Sequence, residues 1–455
     1  MGLQSVFQRL GAGDLGLFRF GIYFSFANAF VWMIALGAPM VLMAEMLGAS
    51  SFQVGLLYSA VFLFLPVQVL STVLLPLLGF RRQVLISWGL RSCLLLVPLF
   101  IAFLPDAPDR PWALGLYIAS IFLFCFFRSV GTSAHLPWLY SIIPERLQGK
   151  YFGSDSLVVG VAGIITLVTS SALFVFFSAN TAFQILFTLT VGAGFLSLLF
   201  LAKLPDGDRP KVVPLRKLCK RAPQLFFRQS HFRKYMRLQM IYAVAGYAFV
   251  PFSVYYLRTA LGFSQSYILF LTALQFFGMT LAALVLKEWV DRVGPKPFFV
   301  FSHAVTISIQ TYWLVMLLFP GYLEFGLPGV YVLVGIGMAT FLTSNNKYLP
   351  QICHQSERAL SVSVLSASVG LMGGLAVTLW GFLLKDEVTG SIDKARFIAY
   401  FVVAISVQSF LFFAYRYLKR FRGGPDELPF GSAGGALRPF RYITRLVNLV
   451  EPPKR

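Results

Sequence analysis

Long apolar runs separated by short polar interruptions make up almost the whole chain. Twelve runs, at about 17–44, 53–78, 84–104, 112–142, 154–178, 181–202, 237–258, 265–287, 297–319, 328–352, 359–384 and 396–418, reach the roughly 20 residues that a helix needs to cross a bilayer. The longest interior interruption, 203–236, opens KLPDGDRPK and closes HFRKY. It divides the runs six and six. The pattern predicts an all-α polytopic membrane protein, with twelve transmembrane helices in two six-helix bundles. The expected domains are a first bundle over 1–202, a basic cytoplasmic linker over 203–236, a second bundle over 237–418 and a tail over 419–455.

The halves repeat one plan. Leu136-Pro137 is matched by Leu349-Pro350 and Gly160 by Gly373, both 213 positions on. Glu145-Arg146 is matched by Glu357-Arg358 at 212, and the turn GFRR at 79–82 by GPKP at 294–297 at 215. Parallel six-helix repeats related by an axis along the membrane normal are a transporter architecture, with the substrate site at the repeat interface near mid-membrane.

Composition agrees with lipid as the solvent. Of the 455 residues 57% are hydrophobic and 12% charged, with a mean hydropathy of +0.74. The net charge of +20 would suit nucleic acid, but its distribution points elsewhere. Of the 38 Lys/Arg, five (Arg110, Arg258, Lys385, Lys394 and Arg396) fall on the face opposite the termini. Arg128 and Lys347 fall inside spans, which leaves 31 for the terminal face. This bias predicts cytoplasmic termini, a multi-pass protein of the inner (plasma) membrane, and attraction to anionic lipid rather than to nucleic acid. The linker stretch LRKLCKRAPQLFF is expected to lie on that lipid as an amphipathic helix, and so is a segment near 438–450 of the tail, where Arg438, Arg441 and Arg445 share a face. The first apolar run, roughly 28 residues, is too long for a signal-peptide core. Cys93, Cys125, Cys219 and Cys353 are spaced for neither a disulfide framework nor a metal. With HExxH, Walker and GxGxxG patterns absent, the chain is expected to be neither an enzyme nor a cofactor protein.

Polar residues inside spans are the candidate chemistry. Arg128, in FLFCFFRSVGTSAH, falls near mid-bilayer, where an ionisable side chain is costly and marks a site by default. It either bonds backbone carbonyls of neighbouring helices or faces the central cavity, where a guanidinium suits a carboxylate or phosphate. Thr343, Asn346 and Lys347, in LTSNNKYLP, share a helical face and are expected to line a polar path, with helix–helix hydrogen bonding as the alternative. His135 and Asn28 are weaker candidates for that path. His303 and Gln275 read as helix-packing groups, Glu45 as an interfacial carboxylate, and the glycine pair Gly370 and Gly374 as a close helix contact. No carboxylate falls near the centre of a span, which argues against proton coupling through a buried acid.

The loop KEWVDRVGPK resembles the G-x-x-x-D-R-x-G-R-K motif of the major facilitator superfamily. Asp291, Arg292, Gly294 and Lys296 match it, and Lys287 stands where the first glycine would be. The corresponding loop TVLLPLLGFRR keeps Gly79 and Arg81-Arg82 but has Pro76 at the acidic position. IPERLQGKYFG at 143–153 and VPFSVYYL at 250–257 are similar to a bacterial branch of that family without assigned substrates. The fifth span, SLVVGVAGIITLVTSSALF, has Gly160 and Gly163 but not the proline of the drug/proton antiporter motif. The resemblance implies alternating access, with Asp291, Arg292, Gly294, Lys296, Arg358, Glu145 and Arg146 as gating residues on the cytoplasmic face. The expectation is a monomeric secondary transporter of a small organic, anionic solute. The alternatives are an exporter of amphipathic compounds and a non-transporting sensor or assembly factor.

Overall fold

The computed structural model describes residues 16–207, 224–227, 230–319, 324–353, 358–386 and 392–419, without the side chains of 145–150, 153, 287–289, 291, 292, 350 and 358–360. Twelve helices in it are long and apolar enough to cross a membrane. They are α1 (Gly16–Met46), α2 (Ser51–Leu78), α3 (Phe80–Phe103), α4 (Pro111–Ile142), α5 (Ser154–Phe176), α6 (Ala179–Leu201), α7 (His231–Thr259), α8 (Gln265–Leu286), α9 (Pro295–Leu318), α10 (Glu324–Leu349), α11 (Ser361–Leu384) and α12 (Lys394–Arg416). The largest shift from the apolar runs is at α7. There the polar turn HFRKYM is helical because the Ser230 hydroxyl accepts from Arg233 N at 3.1 Å and caps it. The linker between 208 and 223 and the tail beyond 419 lie outside the described residues, and with them the expected tail helix and all of the expected linker helix but 224–227, which is helical.

The two bundles repeat their irregularities as well as their helices. α1 breaks between Ala35 and Ala38, and α7 between Gly246 and Phe249. Pro39 and Pro251 follow these breaks and each withholds the N–H that would continue the ladder. The turns α2–α3 and α8–α9 both hinge on a glycine in the left-handed region, Gly79 at φ 75° and Gly294 at φ 90°. In each, the glycine N–H closes the preceding helix, on Leu75 O at 2.8 Å and on Val290 O at 3.0 Å. The glycine shared by the two loop motifs is therefore a turn requirement.

Packing within the first bundle sets α1 on α5 and α6, and α3 on α4; in the second, α8 and α9 flank α10, and α7 lies against α11 and α12. The bundles meet through α2 on α11 and α5 on α8. Along these seams small residues let backbones approach. A Cβ on Gly55 would stand 2.9 Å from Val377 O, and one on Gly381 would stand 2.9 Å from Ser51 O. Gly370 and Gly374 pack likewise against Phe62, Leu63 and Leu65 of α2, so the α11 glycine pair makes the close contact expected of it, and makes it across the bundle interface.

One core cluster contains residues of both bundles, from Val31–Ala60 to Ala245–Leu257 and Phe397–Ala404, and occupies the half of the molecule away from the termini. On the terminal half the core splits. One cluster there draws only on the first bundle, around Trp88 and Trp138, and the other only on the second, around Tyr235 and Tyr415. Nearer the termini the bundles touch along the α2–α11 and α5–α8 seams, where Gly160 meets Thr280; the apolar core that they share thus lies on the face opposite the termini. That face carries the ion pair Arg258 Nε–Glu45 Oε2 at 3.3 Å. Beside it Tyr255 donates to Ala49 O at 2.7 Å and Ser51 to Gly381 O at 3.1 Å. Glu45 is accordingly more than the interfacial carboxylate expected: it joins α1 to α7.

Candidate functional site

Mid-membrane in the first bundle, two buried arginines stand together. Arg128 lies seventeen residues after Pro111 and fourteen before Ile142; Arg91 lies eleven after Phe80 and twelve before Phe103. The Arg128 guanidinium stacks on Trp32 at 4.6 Å and donates through Nη2 to Val61 O at 2.8 Å. That carbonyl lies where α2 breaks between Leu63 and Leu65, just before Pro66. Arg91 donates to Asn28 Oδ1 and stacks on Trp88 at 4.4 Å and Phe124 at 5.6 Å. Trp88 ties the two together, because its indole N–H donates to Arg128 O at 3.2 Å. Trp88 reaches α4 over Gly131, where a Cβ would lie 2.2 Å from the indole nitrogen.

The electrostatics of this pair are unusual. Arg91 and Arg128 are 1% and 5% exposed, and among the described residues no carboxylate pairs with either. Each has a buried Nε without a hydrogen-bond partner among those residues. Carbonyl, amide and aromatic contacts lower the cost of burying a guanidinium without neutralising it. An anion with two oxygens would do so, and would meet the free N–H groups in the fork geometry that arginine offers.

Arg128 makes the backbone-carbonyl contact that one of its two sequence readings expected, and keeps a buried Nε without a partner among the described residues. Asn28 holds Arg91. His135 packs beside them against Trp88 at 4.8 Å and Phe24 at 5.3 Å, with Nε2 buried and unpartnered among the described residues. Thr343, Asn346 and Lys347 belong to α10 in the other bundle, on the side away from the tyrosine-rich core that Phe341, Ser344, Asn345 and Tyr348 enter. Asn346 is exposed, while Thr343 and Lys347 are half-buried. No described contact joins these three to the arginines. The candidates therefore form two groups on facing bundles. Of the gating candidates, Gly294 makes the α8–α9 turn and Lys296 is half-buried in the first turn of α9. The side chains of Asp291, Arg292, Glu145, Arg146 and Arg358 lie outside the described residues.

Three groups escaped the sequence reading. Arg91 falls within the third apolar run, 84–104, yet is counted with the basic residues of the terminal face; it lies inside α3, so that count of 31 falls by one. Asp155, at the terminal-face end of α5, accepts a hydrogen bond from Ser25 of α1. His303, expected only to pack helices, bonds through Nδ1 to Gln408 at 2.7 Å and also lines a cavity in the second bundle. Gln275 does pack helices, reaching Met338 on α10 at 3.1 Å.

Two six-helix bundles with matching helix breaks, the first holding paired mid-membrane cations, define a polytopic membrane protein of the six-plus-six transporter architecture. The sequence profile of the Major Facilitator Superfamily matches residues 236–449. That match covers 214 of the 455 residues, and with the fold of the whole chain it makes the protein similar to the major facilitator superfamily. The nucleoside transporter NupG superposes with a TM-score of 0.64 at 15% identity, over 90% of this chain and 100% of its own. The inward-open xylose transporter XylE from E. coli superposes with a TM-score of 0.67 at 11% identity, over 88% of this chain and 96% of its own. A POT family transporter in complex with a thioalcohol-conjugated peptide gives 0.66 at 13%, over 90% and 97%. No curated protein sequence matches the chain. A nucleoside, a sugar and a peptide on one scaffold show that the fold alone does not select cargo.

Proposed function

We propose that the chain is a secondary transporter that carries a small organic anion across the inner membrane by alternating access, as a monomer in anionic lipid with both termini cytoplasmic. The observation that carries this reading is the Arg91–Arg128 pair. Two mid-span guanidiniums with unmet N–H groups, and no carboxylate partner among the described residues, are a receptor for an anion. The division of the core supports the second element. With cytoplasmic termini, the face held by Glu45–Arg258 is external, and the arrangement is inward-facing. In this reading Thr343, Asn346 and Lys347 line the cytoplasmic part of the path, and the loop residues Asp291, Arg292, Gly294, Lys296, Arg358, Glu145 and Arg146 close it in the opposite state. The separate cores on the terminal face speak against a permanently packed sensor. No catalysis is assigned to the chain.

The test is binding to the purified protein of matched solutes that differ in charge: acetate-, succinate- and phosphate-bearing compounds against their neutral amides and amine counterparts. The reading expects stabilisation by anions only, lost in Arg91→Gln. Stabilisation by amines, or by anions equally in Arg91→Gln, would overturn it.

A further inference from the structure

We infer that the anion carries an aromatic body with a hydrogen-bond donor, and that this body is held in the second bundle by a cavity equivalent, through the repeat, to the arginine site. The inference rests on the anion reading above and specifies its substrate.

The α2–α3 and α8–α9 glycine turns fix the register. Gly79 answers Gly294 with a shift of 215. The same shift carries Trp88 onto His303 and Arg91 onto Thr306, while the shift of 213 for the fourth and tenth helices carries Arg128 onto Phe341. One locus therefore exists twice. In the first bundle it holds cations; in the second, at the same depth, it holds none.

What it holds instead is a cavity of about 240 Å³. Tyr242 and Phe341 stack at 4.8 Å with 22° between their planes, and Phe62 of α2 stacks on Tyr247 of α7 at 4.4 Å and 25°. All four rings line the space, and Thr306 and Gly337 form part of its wall. The volume exceeds the roughly 150 Å³ that suffices to take up benzene in an apolar cavity. The polar lining is equally specific. His303 Nδ1 and Gln408 Oε1 stand 2.7 Å apart; in the tautomer that donates Nδ1–H to this oxygen Nε2 is an acceptor, and that atom is buried and unpartnered among the described residues. Gln310 Oε1, 1% exposed with its residue, is in the same condition. His303 and Gln310 belong to this wall, and a rotamer change that turns either unmet acceptor into the space pairs it with a ring that bears an N–H or O–H.

The two loci touch along one turn of α2. Arg128 is bonded to the carbonyl of Val61, and the next residue, Phe62, forms the cavity wall. A flat molecule with a carboxylate at one end and a ring donor at the other would span both bundles at once. Differential contact with the two bundles is what a carrier needs to couple binding to rocking.

The experiment is calorimetric binding to the full chain in nanodiscs with three probes: indole-3-acetate, hexanoate and indole-3-ethanol. Indole-3-acetate should bind at least tenfold more tightly than either other probe. Thr306→Phe, which fills the cavity at the cost of a hydroxyl bonded only to its own helix at Ser302 O, should reduce it to the level of hexanoate. Gly337→Ala adds a methyl to the same wall, 3.3 Å from Val305 and 3.9 Å from the Thr306 hydroxyl, and serves where Thr306→Phe does not fold. Hexanoate binding within twofold of indole-3-acetate, or an indole-3-acetate affinity unchanged in the filled variant, would overturn the inference and leave the anion reading standing. Equal binding of indole-3-ethanol would overturn both.

Discussion

Glu45 and Arg258 stand 213 residues apart in the chain and 3.3 Å apart in space. That separation equals the repeat shift of Leu136-Pro137 and Gly160 onto their partners. By the broken helices that carry them, where Gly246 answers Ala35 and Pro251 answers Pro39, the two residues fall within two positions of each other in the repeat, once as an acid and once as a base. Positions this close to equivalent meet only near the axis that relates the halves, so the pair marks where that axis leaves the molecule opposite the termini. With the side chains of Arg258 and Glu45 32% and 22% exposed, it adds on the order of 0.2–1 kcal/mol. A closure that weak can reopen, as alternation requires.

Glu45→Gln should loosen this face. Spin labels at Asp109 and Ala260, both exposed on it, should report a longer and broader distance distribution than in the wild type. Exchanging the charges, Glu45→Arg with Arg258→Glu, should restore the shorter one. An unchanged distribution in Glu45→Gln would show that the pair does not hold the face.

The glycine crossing of α2 and α11 should matter more than the ion pair. In Gly381→Val the new Cβ would stand 2.9 Å from the backbone oxygen of Ser51, which cannot turn aside. The same two labels should move apart further than in Glu45→Gln. Gly192→Ala, with nothing within 4 Å of the added atom, should leave them in place.

Gly131→Ala disturbs the arginine site without touching a charge. The added methyl overlaps the Trp88 indole, on which Arg91 rests and which bonds Arg128 O. Overpacking of this kind costs about 1–3 kcal/mol. A lower thermal midpoint together with weakened anion binding is expected. A lower midpoint with unaltered binding would separate Trp88 from the site.

Orientation has its own check. Cysteines placed at Asp109 and Asp206 should be labelled by a membrane-impermeant maleimide from opposite sides, 109 from outside. Labelling of both from one side would contradict the twelve-span topology.

The spans were legible because lipid demands about 20 apolar residues from each, and nothing in the chain competes with that demand. The repeat was legible because Gly79 and Gly294 must both adopt positive φ. Arg128 stood out because its neighbours in FLFCFFRS are apolar; Arg91, although inside the run 84–104, did not, because Ser87, Gly89 and Ser92 around it weaken the contrast. Glu45 shows a different limit. Its partner lies in the other half of the chain, and only the three-dimensional axis brings them together. The cavity around His303 was hidden for the same reason: its walls come from α2, α7, α9 and α10.

The most direct measurement is counterflow of a labelled organic anion, selected by binding, in proteoliposomes containing wild type, Arg128→Gln or Arg128→Lys. The account predicts exchange by the wild type and a loss of tenfold or more in Arg128→Gln, about the size of one hydrogen bond to a charged group. Arg128→Lys should recover little, because a single ammonium cannot both hold Val61 O and meet a carboxylate in fork geometry. Exchange by Arg128→Gln at the wild-type rate would contradict the central claim that the buried arginine pair is the transporter's anion site.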